Sequence, residues 1–184
     1  MEEFDNEQSF TATLKINNKP VVLAQKLLQK KLEDPNATET QRRIYQEELE
    51  TTHNLLTFSD GVAPEEFYFG YRYGDDVYVI YIKDDNDDYK STVSMEGTLR
   101  NWSVFNGDQP TYFRMQDRFG SPLRMTDIPS GENEILLYSG PQLRPVCTYG
   151  EEPYIQVITD LPNRGGRIAA FNMEIITRYS ISDD

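Results

Sequence analysis

Tyr73-Gly74-Asp75-Asp76-Val77-Tyr78-Val79-Ile80 couples a turn to a strand. A glycine and two acids suit a tight reversal, and a run of β-branched and aromatic residues follows. Two other stretches read as variants of it: Asn106-Gly107-Asp108-Gln109-Pro110-Thr111-Tyr112-Phe113 and Tyr149-Gly150-Glu151-Glu152-Pro153-Tyr154-Ile155-Gln156. Each joins a turn glycine and acidic or amide residues to a tyrosine that opens a β-type run. Such recurrence would set one supersecondary unit at equivalent positions of a pseudosymmetric fold. Glycine–acid turns also recur in any meander of hairpins, because they satisfy hairpin geometry.

Around these stretches, residues 61–184 read almost wholly as strands and turns. Turn signals such as Ser59-Asp60-Gly61, Gly97, Gly120, Pro129-Ser130-Gly131, Ser139-Gly140-Pro141 and Asn163-Arg164-Gly165-Gly166 punctuate β-rich runs. Those runs are Val77–Ile82, Tyr112–Met115, Ile135–Tyr138, Tyr154–Ile158 and Ala169–Ile176. Short strands so spaced predict an all-β domain of antiparallel strands.

Residues 1–60 differ. Phe10–Ile16 alternates at period two and predicts a strand. Pro20 suits a first helical turn, and Leu23, Ala24, Leu27, Leu28 and Leu32 form an apolar stripe that Pro35 ends. Thr38-Glu39-Thr40-Gln41 matches a capping box for a second helix, with Tyr45, Leu49, Thr52 and Leu56 on one face. The expectation is a mainly β (α+β overall) protein: an N-terminal strand and helical hairpin over 1–60, packed on an all-β domain over 61–184. The three related stretches, spread over that domain, make it resemble β-trefoil proteins at the level of fold. The glutamine-x-tryptophan motif of ricin-type lectins is absent, and a β-sandwich such as a jelly roll fits the strand spacing equally.

Composition narrows the function. Of 184 residues, 31 are acidic and 18 basic, a formal charge of −13, which opposes nucleic-acid binding and favours a basic partner or a cation. No apolar run approaches the roughly 18 residues that a membrane span needs. The acidic Met1-Glu2-Glu3-Phe4-Asp5 start is unlike a secretory signal, so cytoplasmic synthesis is expected, with release by lysis or a dedicated secretion system. Cys147 is the single cysteine and His53 the single histidine, which removes any disulfide framework or thiolate zinc site. No phosphate loop, nucleophile elbow or paired-histidine motif occurs, so the chain is read as non-catalytic.

Two kinds of site remain. Asp84, Asn86 and Asp88 place oxygen ligands alternately, like the opening of a calcium loop, though Tyr89 stands where the turn glycine belongs and Met95 replaces the closing glutamate. The alternative is a charged hairpin tip. Calcium is therefore the one cofactor the sequence suggests. Tyrosines beside acids and amides are what sugar sites use, the ring stacking on a pyranose and the polar groups taking its hydroxyls. On that logic Tyr73, Asp75, Asp76, Tyr78, Trp102, Asp108, Tyr112, Glu151 and Tyr154 are the candidate ligand-binding residues. A lectin-like recognition protein is the leading expectation, either alone or as the targeting part of a toxin system. An acidic inhibitor or immunity-type protein that binds a basic protein surface is the alternative.

Overall fold

The computed structural model describes residues 4–164 and 166–179, apart from the side chain of Asn6. Among these residues eighteen elements follow in order: β1 (Asp5–Ile16), β2 (Lys19–Leu23), α1 (Ala24–Leu32), α2 (Glu39–Thr52), β3 (Leu56–Phe58), β4 (Phe67–Arg72), β5 (Val77–Ile82), β6 (Ser91–Glu96), β7 (Asn101–Phe105), β8 (Phe113–Gln116), β9 (Pro122–Leu123), a 3₁₀ turn (Met125–Asp127), β10 (Glu132–Ser139), β11 (Arg144–Pro145), β12 (Cys147–Tyr149), β13 (Val157–Thr159), β14 (Arg167–Ile168) and β15 (Phe171–Arg178). The protein is mainly β, and its core is a closed antiparallel barrel.

Six strands close the ring in the order β5–β4–β1–β15–β10–β8, and the pairing of Tyr78 with Phe113 joins β8 back to β5. β5 is the branch point. Tyr78 near its start faces β8, whereas Tyr81 and Ile82 at its end pair with Thr92 and Ser91 of β6. From there β6, β7, β13, β12 and β14 continue as a flap. β1 lies between β4 and β15, so the ring draws a strand from residues 1–60.

Strand periodicity explains the packing. In β4 and β5, Phe67, Phe69, Tyr71, Tyr78, Ile80 and Ile82 enter the main core. Tyr68, Val79 and Tyr81 point the other way, and Phe4, Tyr89 and Tyr112 cover them in a smaller cluster. Both faces of β4 and β5 are therefore buried, while Tyr73 at the turn between them is open, at 78% exposure.

Two local expectations are corrected. Pro20 belongs to a strand, since Val21, Val22 and Leu23 of β2 pair with β3, and α1 starts only at Ala24. The reason is the preceding reversal: Asn17 and Asn18 both adopt positive φ (50° and 64°), the conformation of a two-residue hairpin loop, and Ile16 pairs with Lys19. The other correction concerns pseudosymmetry. Gly74 sits between β4 and β5, Gly107 between β7 and β8, and Gly150 after β12 in the flap. Tyr78 is a buried barrel residue, Tyr112 precedes β8, and Tyr154 is exposed in a turn, so the three stretches are not equivalent positions.

The helical hairpin forms, but α2 ends at Thr52, and Leu56, expected on its apolar face, opens β3 and pairs with Leu23. Thr38 and Gln41 exchange the two reciprocal capping-box bonds, at 2.9 and 3.1 Å. α1 lacks a side-chain cap of its own, and buried Glu65 takes that place, accepting from Leu23 N at 3.1 Å and from Lys26 Nζ at 2.6 Å.

Candidate functional site

The segment after β12 forms one wall of a groove. Two hydrogen bonds pin it to the helical side: Ile155 N donates to Glu48 Oε2 of α2 (3.1 Å), and Thr57 Oγ1 donates to Gln156 O (2.7 Å). Ile155 is buried among Val22, Leu27, Leu28 and Leu55. On the opposite wall Arg164 Nη1 donates to Leu99 O (3.1 Å) and Asn101 Oδ1 (2.8 Å), and its guanidinium lies 4.7 Å from the centre of the Tyr149 ring. Between these walls is a hollow of about 390 Å³, within the usual range for small-ligand sites. Tyr149 (45% exposed), Tyr154 (58%) and Leu99 stand open along it, with Asn101 and Glu151 beside them.

Glu48 gives this groove its electrostatic character. Its side chain lines the hollow, the residue is only 9% exposed, and Oε1 has no hydrogen-bond partner among the described residues. Burial pushes its carboxyl above the usual carboxylate range, with the Ile155 N–H and the charge of Lys31 pulling back. An acid whose pKa is raised on folding adds stability below its unfolded pKa, near 4.5, and loses it as pH rises through the folded value. Glu48→Gln, which cannot ionise, is therefore expected to gain thermal stability relative to the parent at pH 8 and to lose that advantage at pH 4. Melting curves of both proteins at the two pH values check this, and an advantage independent of pH would contradict it.

The residues singled out in the sequence are scattered. Glu151 and Tyr154 are at this groove. Asp108 and Tyr112 line a separate cavity. Trp102, at 0% exposure, is a core residue and offers no stacking face. Tyr78 is also corrected to the core. Its hydroxyl donates to Gln8 O (2.8 Å) and accepts from Met125 N (3.1 Å).

Asp76 is engaged in closing one end of the barrel. Arg124 forks onto it at 2.9 and 3.1 Å and Tyr71 Oη donates to it at 2.6 Å. Arg124 holds the Asp76 carboxyl below its usual range, and burial, followed by the hydrogen bond to Asp76, pushes the Tyr71 phenol up to about 12. Asp75 and Tyr73 remain on the exposed turn beside it.

Asp84, Asn86 and Asp88 form a hairpin tip between β5 and β6. Asp84 Oδ1 accepts from Asn86 N (2.8 Å) and Asp88 N (3.0 Å), and these N–H groups, that of Asp88 foremost, hold its carboxyl below the ordinary value. The Asp84 carboxylate is thus occupied in shaping its own turn. Among the described residues no group of three or more His, Cys, Asp or Glu is arranged to hold a metal ion. Cys147 donates its thiol to Pro145 O at 3.5 Å, while His53 caps the exposed end of α2.

Sequence reasoning missed Glu48, Leu99 and Arg164. Only Glu48 left a trace, because it sits on the apolar face of α2 three residues after Tyr45 and four before Thr52. The comparisons add no assignment: no family model, curated protein or solved structure matches the chain.

Proposed function

We propose that the protein is a non-catalytic recognition module that binds carbohydrate in the groove beneath Tyr149 and Tyr154. The observation that carries this reading is the pair of exposed tyrosines beside a rigid polar wall. Tyr149 is held in place by the Arg164 guanidinium, which Asn101 and the Leu99 carbonyl fix in turn. A pyranose stacked on either ring would find the Asn101 amide and the Glu151 carboxylate within the same hollow.

A glycan array, run with and without calcium, tests the reading directly. Tyr154→Ala should lower affinity for any glycan hit by about tenfold, the scale of a single stacking interaction. Its melting temperature should stay unchanged, because the side chain is mostly exposed. An array without hits, or a Tyr154→Ala variant that binds normally, would sink the proposal.

The exposed acids of the β5–β6 tip favour a second reading, an inhibitor or immunity-type protein for a basic partner. Asp84, Asp85, Asp87 and Asp88 are all open to solvent there. Of these, Asp87 lies 3.6 Å from Lys83 and Asp88 lies 3.4 Å from Lys90. A salt-sensitive complex lost on neutralising Asp85 and Asp87, with Tyr154→Ala without effect, would select this reading over the first.

A further inference from the structure

A cavity of about 640 Å³ lies between the end of β4, the segment before β8 and the β10–β11 turn, and it shares no lining residue with the tyrosine groove. Arg72, Arg100 and Arg144 line it, and Asp108 is the only acid among the described lining residues. That concentration runs against the molecule, where acids outnumber bases 31 to 18. Three guanidinium groups around one hollow repel one another unless counter-charge holds them, and Asp75, 4.0 Å from Arg72, is one such partner.

Asp160 supplies part of that charge from below. Its side chain is fully buried and takes Arg100 side-on, with Nε to Oδ1 at 3.0 Å and Nη2 to Oδ2 at 2.8 Å. Ser139 Oγ also donates to Oδ2, at 2.5 Å. The arrangement leaves Nη1 of Arg100 without a hydrogen bond among the described residues, on a side chain that is one-third exposed. Arg144 makes no ion pair among the described residues, although it stands on the same cavity wall. Asp160 and Ser139 are positioning residues: they fix the Arg100 fork so that one edge remains for a ligand.

We infer that this cavity is an oxyanion site that takes a carboxylate or a tetrahedral oxyanion on a small ligand. Arg100 and Arg144 donate the charge-assisted hydrogen bonds, and the Gln109 and Gln142 amides lie beside them. The inference is independent of the carbohydrate reading, since the two hollows have no residue in common.

Calorimetric titration with sodium phosphate, sulfate and acetate at low ionic strength provides the test. At least one anion should bind saturably, and binding should weaken as sodium chloride rises from about 50 to 300 mM. Arg144→Gln should lower that affinity about tenfold at an unchanged melting temperature, as expected for one charged fork removed. Arg144→Lys should fall between, because it keeps the charge and loses the fork. Preference for acetate identifies a carboxylate ligand, and preference for phosphate or sulfate a tetrahedral one. No saturable binding by any of the three, or undiminished binding by Arg144→Gln, would overturn the assignment. Tyr154→Ala should leave anion binding intact, which separates failure of this site from failure of the groove.

Discussion

Arg100→Ala is expected to destabilise the protein by about 3–5 kcal/mol, the usual result of stripping the partner from a buried charge. Asp160 has no accessible side-chain surface while Arg100 is in place, so on losing the guanidinium its carboxylate depends on water entering the space the side chain leaves. Only the Ser139 hydroxyl would remain on it. The reverse deletion should be milder, because Arg100 is one-third exposed and can turn to water. Asp160→Asn keeps the shape and should therefore lose less than Arg100→Ala. The backbone adds a second discriminator: Arg100 holds φ at +52°, a conformation that disfavours side chains by about 1 kcal/mol. Arg100→Gly should consequently be less damaging than Arg100→Ala by about that amount. Urea unfolding followed by tryptophan fluorescence reads all three, since Trp102 is the single, fully buried tryptophan. An Arg100→Ala variant within about 1 kcal/mol of the parent would mean the pair holds nothing that water cannot replace.

The sequence carries local features well and global closure poorly. The capping box at Thr38 and Gln41 and the hairpin tip at Asp84–Asp88 are legible because each is decided within a few residues. So is β5, whose β-branched and aromatic run admits one conformation. The barrel is not legible. Its closure depends on Phe113 meeting Tyr78 and on β1 reaching β15, from Phe10 opposite Arg178 to Ile16 opposite Phe171. No local pattern encodes pairings across such distances in sequence. The Asn17-Asn18 reversal is legible in principle, yet Pro20 and the leucines after it point to a helix, and the β-branched pair Val21-Val22 decides for a strand.

The same division explains the site. Tyr154 and Glu151 can be nominated from chemistry alone, because tyrosines beside acids in turns are visible in any sequence. Glu48, Leu99 and Arg164 come from α2, the β6–β7 turn and the loop after β13, and only the fold brings them to one groove. Trp102 is nominated for its ring, but ring chemistry does not reveal which face of a strand is buried. In β7, Trp102 enters the core and Asn101, next to it, points to the groove, as the period of two requires.

Trp102 is also where packing has its largest expected effect. It belongs to the flap strand β7, yet its ring stacks on Phe67 of β4 at 5.9 Å and meets Phe113 of β8 and Phe171 of β15 edge-on at 5.9 and 6.1 Å. One side chain thus ties the flap to three staves of the barrel. Trp102→Ala should remove about 3–5 kcal/mol, from lost transfer energy and from the cavity left in a closed core that cannot collapse. Trp102→Phe should cost much less, for two reasons. It keeps a ring against Phe67, and it removes Nε1, a buried donor without a partner among the described residues. An unpaired buried donor costs about 1–3 kcal/mol, so its removal offsets much of the lost volume. Denaturation followed by far-UV circular dichroism measures both variants, which no longer carry a tryptophan to report by fluorescence. Equal losses in the two would show that Nε1 contributes a bond of its own, such as to an internal water. A small loss in Trp102→Ala would show that the flap, and the groove it walls, is held by its backbone pairings and not by this ring.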